Sequence, residues 1–447
     1  MHIVVVGAGE VGSYVADRLS REGHDVAIVD IDGAKLSAID QRLDVLTVCG
    51  SGTHPDVLRR AGIEHSELMV AVTANDEANL ISSMLAKSIG VNRSIVRIEA
   101  AELRGQAAED IRKASGADLI IDPDAETAEE VLELLDFPGA DEVAHMVGGE
   151  IVVIGARLPG HAPLVGRTLG DIGEEFEPDW DFMVTAIGRG DETIIPRRDH
   201  RLEAGDHVRV AVKRRARGLV IELLGLDARV PNQVMLLGGG RTAEMLARSL
   251  AERGIRAVIV ERSPERAREL AERLDDALVL EGDITDADLL EEAEVGRFEM
   301  VVATTGEDDA NILACLYAKA NGVAETVAVV HRLALLSLLE DAGIDVALSP
   351  RTATANGVLR FVRGGVAAVA TFLHGDVEVL ELEVAPGSPA DGELVRDLDL
   401  PKDALIAAAV RDGKPRIIRG RSHLRARDRV VVVAIPSAVE AVRSAIG

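Results

Sequence analysis

The chain repeats one long pattern of strands, turns and helices, and this internal repeat constrains its fold more than any other feature. Each copy places an apolar strand before a glycine-rich turn, then an amphipathic helix, then a second apolar strand that ends in an acid. Gly7 corresponds to Gly238 and Asp30 corresponds to Glu261, both at an offset of 231 residues. Later segments match as well, 67–80 with 298–312 and 121–131 with 348–358. The two copies are therefore homologous over their whole length.

The alternation of strand and helix in each copy predicts an α/β fold with two Rossmann-like domains, each built on a doubly wound parallel sheet. Strands such as HIVVVG are near-continuous aliphatic runs, which is typical of buried parallel sheets. A shorter β-rich segment with hairpin signals follows each copy and predicts a small α+β domain. Length alone favours about three domains, but the repeat favours four. The large domains are predicted over 1–138 and 232–365, and the small ones over 139–226 and 366–447.

The composition narrows the choice of partners. The net charge is -27, and most of the basic residues are arginine. Such an acidic, lysine-poor surface argues against nucleic-acid binding, which needs cations to neutralise phosphates. It is typical of proteins from a salt-rich cytoplasm, where salt screens the repulsion between carboxylates. An ordinary acidic cytosolic protein is the alternative.

The chain starts at Met1 directly in its first strand, which leaves no room for a signal peptide. No apolar run approaches the ~18 residues that a membrane-spanning helix needs. We therefore expect a soluble intracellular protein that reaches a membrane only through a partner. Cys49 and Cys315 have no metal-ligand spacing, so we expect both to be buried as small apolar residues, with no metal bound.

The first glycine-rich turn is an uninterrupted G-x-G-x-x-G fingerprint that opens a helix. The first glycine allows a tight turn, the second lets the backbone approach a diphosphate, and the third lets the helix pack closely on the strand. The diphosphate is expected at the free N–H groups of the helix amino terminus. The residues of this predicted site are Gly7, Ala8, Gly9, Glu10, Val11 and Gly12.

Asp30 follows Gly12 by 18 residues and ends the second strand. A carboxylate at this position accepts hydrogen bonds from an adenosine ribose and repels a 2′-phosphate. The sequence therefore favours NAD(H) over NADP(H).

Further contacts are expected where the fourth and fifth strands end, because ligands of open α/β sheets bind beyond the carboxyl ends of the strands. Thr73 and Ala74 are predicted to end the fourth strand, and Arg97 to end the fifth. Arg97 either reaches a phosphate or forms a surface ion pair. Asp76, Glu77 and Asn79 begin the next helix, where capping is an alternative to ligand contact.

The second copy has altered its site. It reads Gly238, Gly239, Gly240, Arg241 and Thr242, with Ala243 at the third glycine position and Glu261 in place of Asp30. Val329 stands where the first copy has Arg97, so a cation is lost. These changes predict a different nucleotide or weaker binding, and a purely structural second copy is the alternative.

An NAD-dependent dehydrogenase is the rival class of function. Such an enzyme needs a proton donor or acceptor near the nicotinamide. The tyrosines Tyr14 and Tyr317 lie inside predicted helices, and the small domains offer no convergent catalytic set. We therefore predict no catalytic residues and a chain that is not an enzyme.

Several motifs make the chain similar to the TrkA family, the cytosolic regulatory subunits of Trk potassium uptake systems. The matching stretches are GAGEVG, the strand ending at Asp30, GTHPDVLRRAG around His54, VAVTANDEANL and GGG at 238–240. The large domains resemble RCK amino-terminal (KTN) domains and the small ones RCK carboxyl-terminal (TrkA-C) domains. In copy two, Arg241-Thr242-Ala243 departs from the family pattern.

This resemblance implies a tetrameric, homo-oligomeric gating ring at the inner face of the cell membrane. The ring would regulate a membrane potassium transporter subunit of the TrkH/TrkG type in response to NAD(H) and to ATP or ADP. The resemblance carries ligand contacts onto Gly7 to Val11, Asp30, Thr73, Ala74 and Arg97, and onto Gly238 to Thr242 and Glu261. It leaves open whether His54 contacts ligand or caps the helix that starts near Pro55.

Overall fold

The computed structural model describes residues 1–21, 23–100, 106–178, 180–190, 192–226, 230–362, 369–371 and 377–447. Contacts divide the chain into two compact units, one of 1–128 with 348–362 and one of 129–347 with 363–447. Within the described ranges, no helix is both long enough and apolar enough to cross a membrane.

The first large domain is a six-stranded sheet flanked by helices. Its strands are β1 (His2–Val6), β2 (Asp25–Asp30), β3 (Leu46–Cys49), β4 (Leu68–Ala71), β5 (Arg93–Arg97) and β6 (Leu119–Ile121). Its helices are α1 (Glu10–Arg21), α2 (Gly33–Asp40), α3 (Pro55–Arg60), α4 (Asp76–Ile89), α5 (Gln106–Ser115) and α6 (Pro123–Asp136). The strand order is β3-β2-β1-β4-β5-β6 and every pairing is parallel. The order reverses between β1 and β4, so a ligand crevice is expected at the carboxyl ends of these two strands.

The first small domain is a five-stranded antiparallel sheet with two short helices. Its elements are β7 (Glu142–Met146), β8 (Ile151–Arg157), α7 (Leu169–Glu175), β9 (Phe182–Arg189), β10 (Glu192–Ile194), β11 (His207–Lys213) and α8 (Arg217–Leu223). The strand order is β10-β9-β11-β8-β7.

The second large domain repeats the first sheet strand for strand. Its strands are β12 (Gln233–Leu237), β13 (Arg256–Glu261), β14 (Ala277–Glu281), β15 (Met300–Ala303), β16 (Glu325–Val329) and β17 (Val346–Leu348). Its helices are α9 (Arg241–Glu252), α10 (Pro264–Arg273), α11 (Ala287–Glu292), α12 (Asp308–Ala320), α13 (Leu336–Asp341) and α14 (Pro350–Val362). The order β14-β13-β12-β15-β16-β17 matches the first sheet. Two Rossmann-like parallel-sheet domains were predicted, and the structure confirms them.

The second small domain comprises β18 (Val369–Thr371), β19 (Glu378–Glu383), β20 (Ala404–Arg411), β21 (Lys414–Ile417), β22 (Arg429–Ala434) and α15 (Val439–Ile446), in the strand order β18-β19-β22-β20-β21. The two small sheets share one apolar core, in which Val153 and Ala211 of the first lie with Val379 and Val431 of the second. The small domains therefore pair within one chain.

Helix α14 ends the second repeat in the sequence but belongs to the compact unit of the first copy. Its buried residues Val358 and Leu359 join the core that Val15 and Leu19 of α1 build against the first sheet. The apolar face of α14 is therefore satisfied by the other copy.

The expectation that both cysteines are buried is wrong for Cys49. Cys315 is fully buried in α12, and burial raises the pKa of its thiol to about 12. Cys49 is exposed because it ends β3, the edge strand of the first sheet, and its Sγ lies 3.8 Å from the carbonyl oxygen of Ile31.

Candidate nucleotide site

The first glycine loop connects β1 to α1 at the carboxyl edge of the sheet. Gly7 has φ of +111°, and a Cβ there would lie 3.0 Å from the backbone nitrogen of Thr73. A Cβ on Gly12 would lie 1.8 Å from the carbonyl oxygen of Gly7, so only glycine lets α1 approach this closely. A Cβ on Gly9, in contrast, would meet nothing within 4 Å. The loop is thus tightly packed beneath and open above Gly9, the position expected to face a diphosphate.

Asp30 closes the same edge from β2. Its Oδ2 accepts a hydrogen bond of 2.6 Å from the backbone N–H of Ala8, and its Oδ1 accepts one of 2.8 Å from Asp32. The structure therefore brings the terminal acid and the glycine loop together, as the predicted site requires. This carboxylate is the group that the ribose of an adenosine nucleotide would contact.

A buried amide joins the ends of β4 and β5. The Oδ1 of Asn79 accepts hydrogen bonds from Thr73, from the hydroxyl at 2.6 Å and from the backbone N–H at 2.9 Å. Its Nδ2 donates to the carbonyl oxygens of Thr73 and Arg97, each at 3.0 Å. Because Asn79 is fully buried, it fixes the rim and is not itself exposed to ligand.

The residues that begin α4 are occupied by backbone groups. The side chain of Asn75 caps the helix by accepting from the N–H of Ala78 at 2.6 Å. The carboxylate of Asp76 accepts from the N–H groups of Glu99 and Ala100, at 3.0 and 2.7 Å. In the part of the chain that the structure describes, capping and loop support account for these two residues.

The remaining residues that the sequence singles out at the first site are Thr73, Ala74, Arg97 and His54. Thr73 and Ala74 lie two and three residues beyond the end of β4 rather than in the strand. Arg97 is the last residue of β5 and pairs with Glu99, while its Nε is buried without a hydrogen-bond partner among the described residues. His54 occupies the N-cap position of α3, and its side chain makes no capping hydrogen bond.

The second glycine loop repeats the backbone geometry of the first. Gly238 has φ of +102°, and Glu261 accepts hydrogen bonds of 2.7 Å from the N–H groups of Gly239 and Ser263. Asn311 joins the ends of β15 and β16 as Asn79 joins β4 and β5, with 2.8 Å from its Nδ2 to the carbonyl oxygen of Val329.

The second site differs in its lining. A cavity of about 380 Å³ lies over the loop, lined in part by Gly240, Glu261, Arg262, Asp283, Thr305 and Glu307. The guanidinium of Arg266 on α10 donates to the carbonyl oxygen of Gly239 at 2.9 Å and pairs with Glu244 at 2.7 Å. The buried Ala243 replaces the third glycine, while Thr242 is also buried and Arg241 begins α9. The second loop keeps its backbone conformation and has room for a ligand, but the charged side chains around it differ from those around the first loop.

A buried carboxylate supports the rim of the second site. Burial alone would raise the pKa of Asp308, but hydrogen bonds from the backbone N–H groups of His331 and Arg332 lower it to about 2. The carboxylate stays ionised and fixes the segment after β16, as Asp76 fixes the segment after β5.

One residue at the first site was missed by sequence reasoning. Arg351, in the first turn of α14, forms an ion pair with Glu10 of the first glycine loop. The signal that could have found it is a charge reversal between the copies: Glu10 aligns with Arg241, and Arg351 aligns with Asp124.

One group of described residues has metal-ligand chemistry. Ligand atoms of Asp141, Glu142 and His207 lie within 4.8 Å of one another. The Nε2 of His207 lies 2.9 Å from Asp141, and the Nε of Arg209 donates to Glu142 at 3.0 Å. These contacts explain the cluster as a histidine–carboxylate contact beside an arginine–glutamate ion pair of the first small domain, and we assign no metal to it.

Two Rossmann-type domains with glycine loops, each followed by a small antiparallel domain, define a class of tandem nucleotide-site proteins. The TrkA-N domain model matches residues 3–136 and 234–350, and the TrkA-C domain model matches 153–225 and 379–447. The chain belongs to the TrkA family.

Curated relatives span nearly the whole chain. A protein of Halomonas elongata named Trk system potassium uptake protein TrkA is 34% identical over 439 residues, which cover 97% of this chain and 93% of the relative. A protein of the same name from Azorhizobium caulinodans is 33% identical, with 99% and 98% covered. These relatives are potassium uptake proteins by name and not dehydrogenases, which confirms the prediction that the chain is not an enzyme.

Solved structures share the fold. The RCK domain of GsuK superposes with a TM-score of 0.59 at 18% identity, covering 100% of this chain and 94% of that one. The GsuK channel bound to NAD gives a TM-score of 0.60 at 18% identity, covering 100% and 78%.

Proposed function

We propose that the chain is the nucleotide-sensing regulatory subunit of a Trk-type potassium uptake system. The first glycine loop binds NAD(H), ATP or ADP, and the bound nucleotide regulates potassium transport through a membrane subunit of the TrkH/TrkG type. The observation that carries this proposal is the open space over Gly9 at the amino terminus of α1, with the carboxylate of Asp30 tied to the same loop. Membership of the TrkA family supplies the transport context.

The residues at the first site fit an adenosine nucleotide. The first N–H groups of α1 have no partner within the helix, and together with its dipole they favour a diphosphate. The carboxylate of Asp30 would receive the ribose hydroxyls, and Arg97 lies at the rim of the same edge. The side chain of Val11 is buried beneath the loop, so Val11 would contact a ligand through its backbone N–H. A channel that shares this fold is bound to NAD, which keeps NAD(H) among the candidate ligands beside ATP and ADP.

The second site supports a different role. Its loop keeps the acid Glu261 and a cavity of about 380 Å³, but Val329 leaves the end of β16 without the cation that Arg97 provides in copy one. We therefore assign to it weaker binding, or binding of a different nucleotide.

Regulation follows from differential affinity. A nucleotide that binds one arrangement of the subunits more tightly than another shifts the population toward the first. Four such chains in a ring, attached at the cytoplasmic face of the membrane subunit, would pass that shift to the pore.

Titration calorimetry of the full chain with NADH, NAD⁺, ATP and ADP tests the site. Asp30→Ala should lose at least about tenfold in affinity for the nucleotide that binds most tightly, because charge-assisted hydrogen bonds to the ribose are removed. Asp25→Ala is the matched control, since Asp25 begins the same strand at the opposite edge and its side chain is exposed. Equal affinity of Asp30→Ala and wild type for all four nucleotides would refute the site. Turnover of NADH with a 2-oxo acid would refute the regulatory function.

A further inference from the structure

Helix α14 presents its first turn at the carboxyl edge of the first sheet. Arg351, the second residue of α14, pairs with Glu10, the first residue of α1. At the other end, Arg93 begins β5, donates to the carbonyl oxygen of Phe361 and lies 4.5 Å from the centre of its ring. The helix therefore runs from the nucleotide edge to the opposite edge.

Packing holds Arg351 in this place. Ala355, Val358, Leu359 and Val362 are at most 3% exposed and share one core with α1. Farther along the helix, Arg360 pairs with Glu126. Arg351 is thus carried by a well-packed helix, which keeps its guanidinium within reach of the first glycine loop.

The charge at this position matters because of what Glu10 faces. The first turn of α1 is where a diphosphate would sit, and the carboxylate of Glu10 repels an anion there. The guanidinium of Arg351 neutralises that carboxylate and has five N–H donors suited to planar groups of oxygen atoms. Its side chain is 32% exposed, so part of it faces solvent at the loop.

The internal repeat gives independent support. Within copy one, Glu10 and Asp124 are both acidic, whereas within copy two the aligned Arg241 and Arg351 are both basic. Pairing within a copy would place like charges together at either site. At the first site, the pairing of Glu10 with Arg351 of the other copy instead places opposite charges together.

We infer that Arg351 completes the first nucleotide site from the second copy by binding the terminal phosphate of a nucleoside di- or triphosphate in exchange for Glu10. This inference rests on the proposed function. A terminal phosphate carries close to two negative charges and three acceptor oxygens at neutral pH, because its second pKa is about 6. The diphosphate bridge of NAD(H) has no terminal phosphate. Arg351 therefore favours ADP and ATP over NAD(H), and the exchange of partners couples the bound phosphate to a helix of the other copy.

The test compares Arg351→Gln with Arg360→Gln in the full chain, by calorimetry with ADP, ATP and NADH. Arg360→Gln is the matched control because it breaks an ion pair of the same helix away from the loop. Arg351→Gln should weaken ADP and ATP by about tenfold or more and change NADH by less than about threefold. Arg360→Gln should leave all three within about threefold of wild type.

A second variant keeps the inference testable if Arg351→Gln does not fold. Glu10→Gln removes the competitor for Arg351, so ADP should bind several-fold more tightly while the helix contact remains as a neutral hydrogen bond. Melting curves of all variants show which are folded.

The outcomes separate the two proposals. Binding of ADP by Arg351→Gln with wild-type affinity, or equal losses for ADP and NADH, would overturn the inference and leave the proposed function standing. Weaker ADP binding by Glu10→Gln would also overturn the inference. A wild-type chain that binds none of these nucleotides would overturn the proposed function, and the inference with it.

Discussion

Asp30 accepts a hydrogen bond of 2.6 Å from the backbone N–H of Ala8, and Glu261 accepts one of 2.7 Å from Gly239 in the second copy. In each copy the acid that ends the second strand is therefore tied to the glycine loop. This contact sets the carboxylate where a ribose would meet it, and it places negative charge beside the position of a 2′-phosphate.

Replacing Asp30 by Asn should relax the choice between NADH and NADPH. The amide oxygen can still accept from Ala8, but the charge that repels a 2′-phosphate is gone. We expect the ratio of the NADPH and NADH dissociation constants to fall by about tenfold. Titration with both cofactors measures it, and Asp25→Asn provides the control at the opposite end of β2. An unchanged ratio would show that Asp30 does not face the ribose.

Alanine at the second and third glycines of the fingerprint should give different results. Gly12→Ala puts a methyl group 1.8 Å from the carbonyl oxygen of Gly7, so α1 must move away from the loop. We expect it to destabilise the domain by about 3 kcal/mol, at the upper end of overpacking costs. Gly9→Ala meets no atom within 4 Å and should leave the melting temperature nearly unchanged. Its effect should appear only in weaker nucleotide binding, where the methyl group occupies the ligand's space. A Gly9→Ala chain with full affinity would contradict the proposed position of the diphosphate.

Asn79→Ala should cost on the order of 3 kcal/mol of unfolding free energy. The substitution leaves the backbone N–H of Thr73 and two carbonyl oxygens without their buried partner, and unsatisfied groups of this kind cost about 1–3 kcal/mol each. Urea denaturation measures the loss. Asn75→Ala removes only an exposed helix cap and should cost about 1 kcal/mol. Similar midpoints for the two variants would mean that the buried amide does not hold the strand ends.

Glu325 should make stability fall as pH rises. Burial, together with the nearby carboxylates of Asp345 and Asp141, raises the pKa of Glu325 from its ordinary value of 4.5 to about 8. The folded chain keeps this proton while the unfolded chain releases it, so stability declines from about pH 4.5 and levels off above pH 8. Glu325→Gln removes this penalty and should be more stable than wild type at pH 9, by on the order of 4 kcal/mol, with no difference near pH 4.5.

Glu299→Gln is the control for the Glu325 prediction, because the pKa of Glu299 is shifted in the opposite direction. Burial alone would raise the pKa of Glu299, but hydrogen bonds from Asn232 and Gln233 lower it. The ionised carboxylate of Glu299 stabilises the folded chain at pH values above its pKa in the unfolded chain, and this stabilisation is lost as the pH falls. Glu299→Gln should therefore destabilise the chain at neutral pH. Thermal melts of the three proteins from pH 4.5 to 9 measure both effects, and a pH-independent difference between Glu325→Gln and wild type would contradict the prediction.

The glycine loop and its acid could be predicted from the sequence because their chemistry is local. A tight turn, a close helix and a strand-ending carboxylate each need a particular residue at a particular spacing, and Gly7, Gly12 and Asp30 meet those needs. The parallel sheets followed in the same way from aliphatic runs and their repeat. The predicted domain boundaries remain predictions, and so does the assignment of the site residues to ligand binding. In each copy, most of the predicted site residues do lie at the carboxyl edge of the parallel sheet.

The remaining features depend on tertiary packing. The local sequence around Arg351 does not indicate that its helix joins the first copy, because only the comparison of charges between the two copies carries that signal. The burial of Asn79 and the exposure of Cys49 depend on which strands are central and which lie at the edge. Capping and ligand contact look alike in sequence at the start of α4, and only the hydrogen bonds of Asn75 and Asp76 distinguish them.

The position of α14 has a consequence for how the chain is made. The first large domain lacks one of its covering helices until residue 362 has been synthesised, more than two hundred residues after β6. During that interval, the surface of α1 around Val15 that α14 will cover stays open. A ribosome that stops early thus releases a first domain with an unfinished apolar face, and only a complete chain can close it.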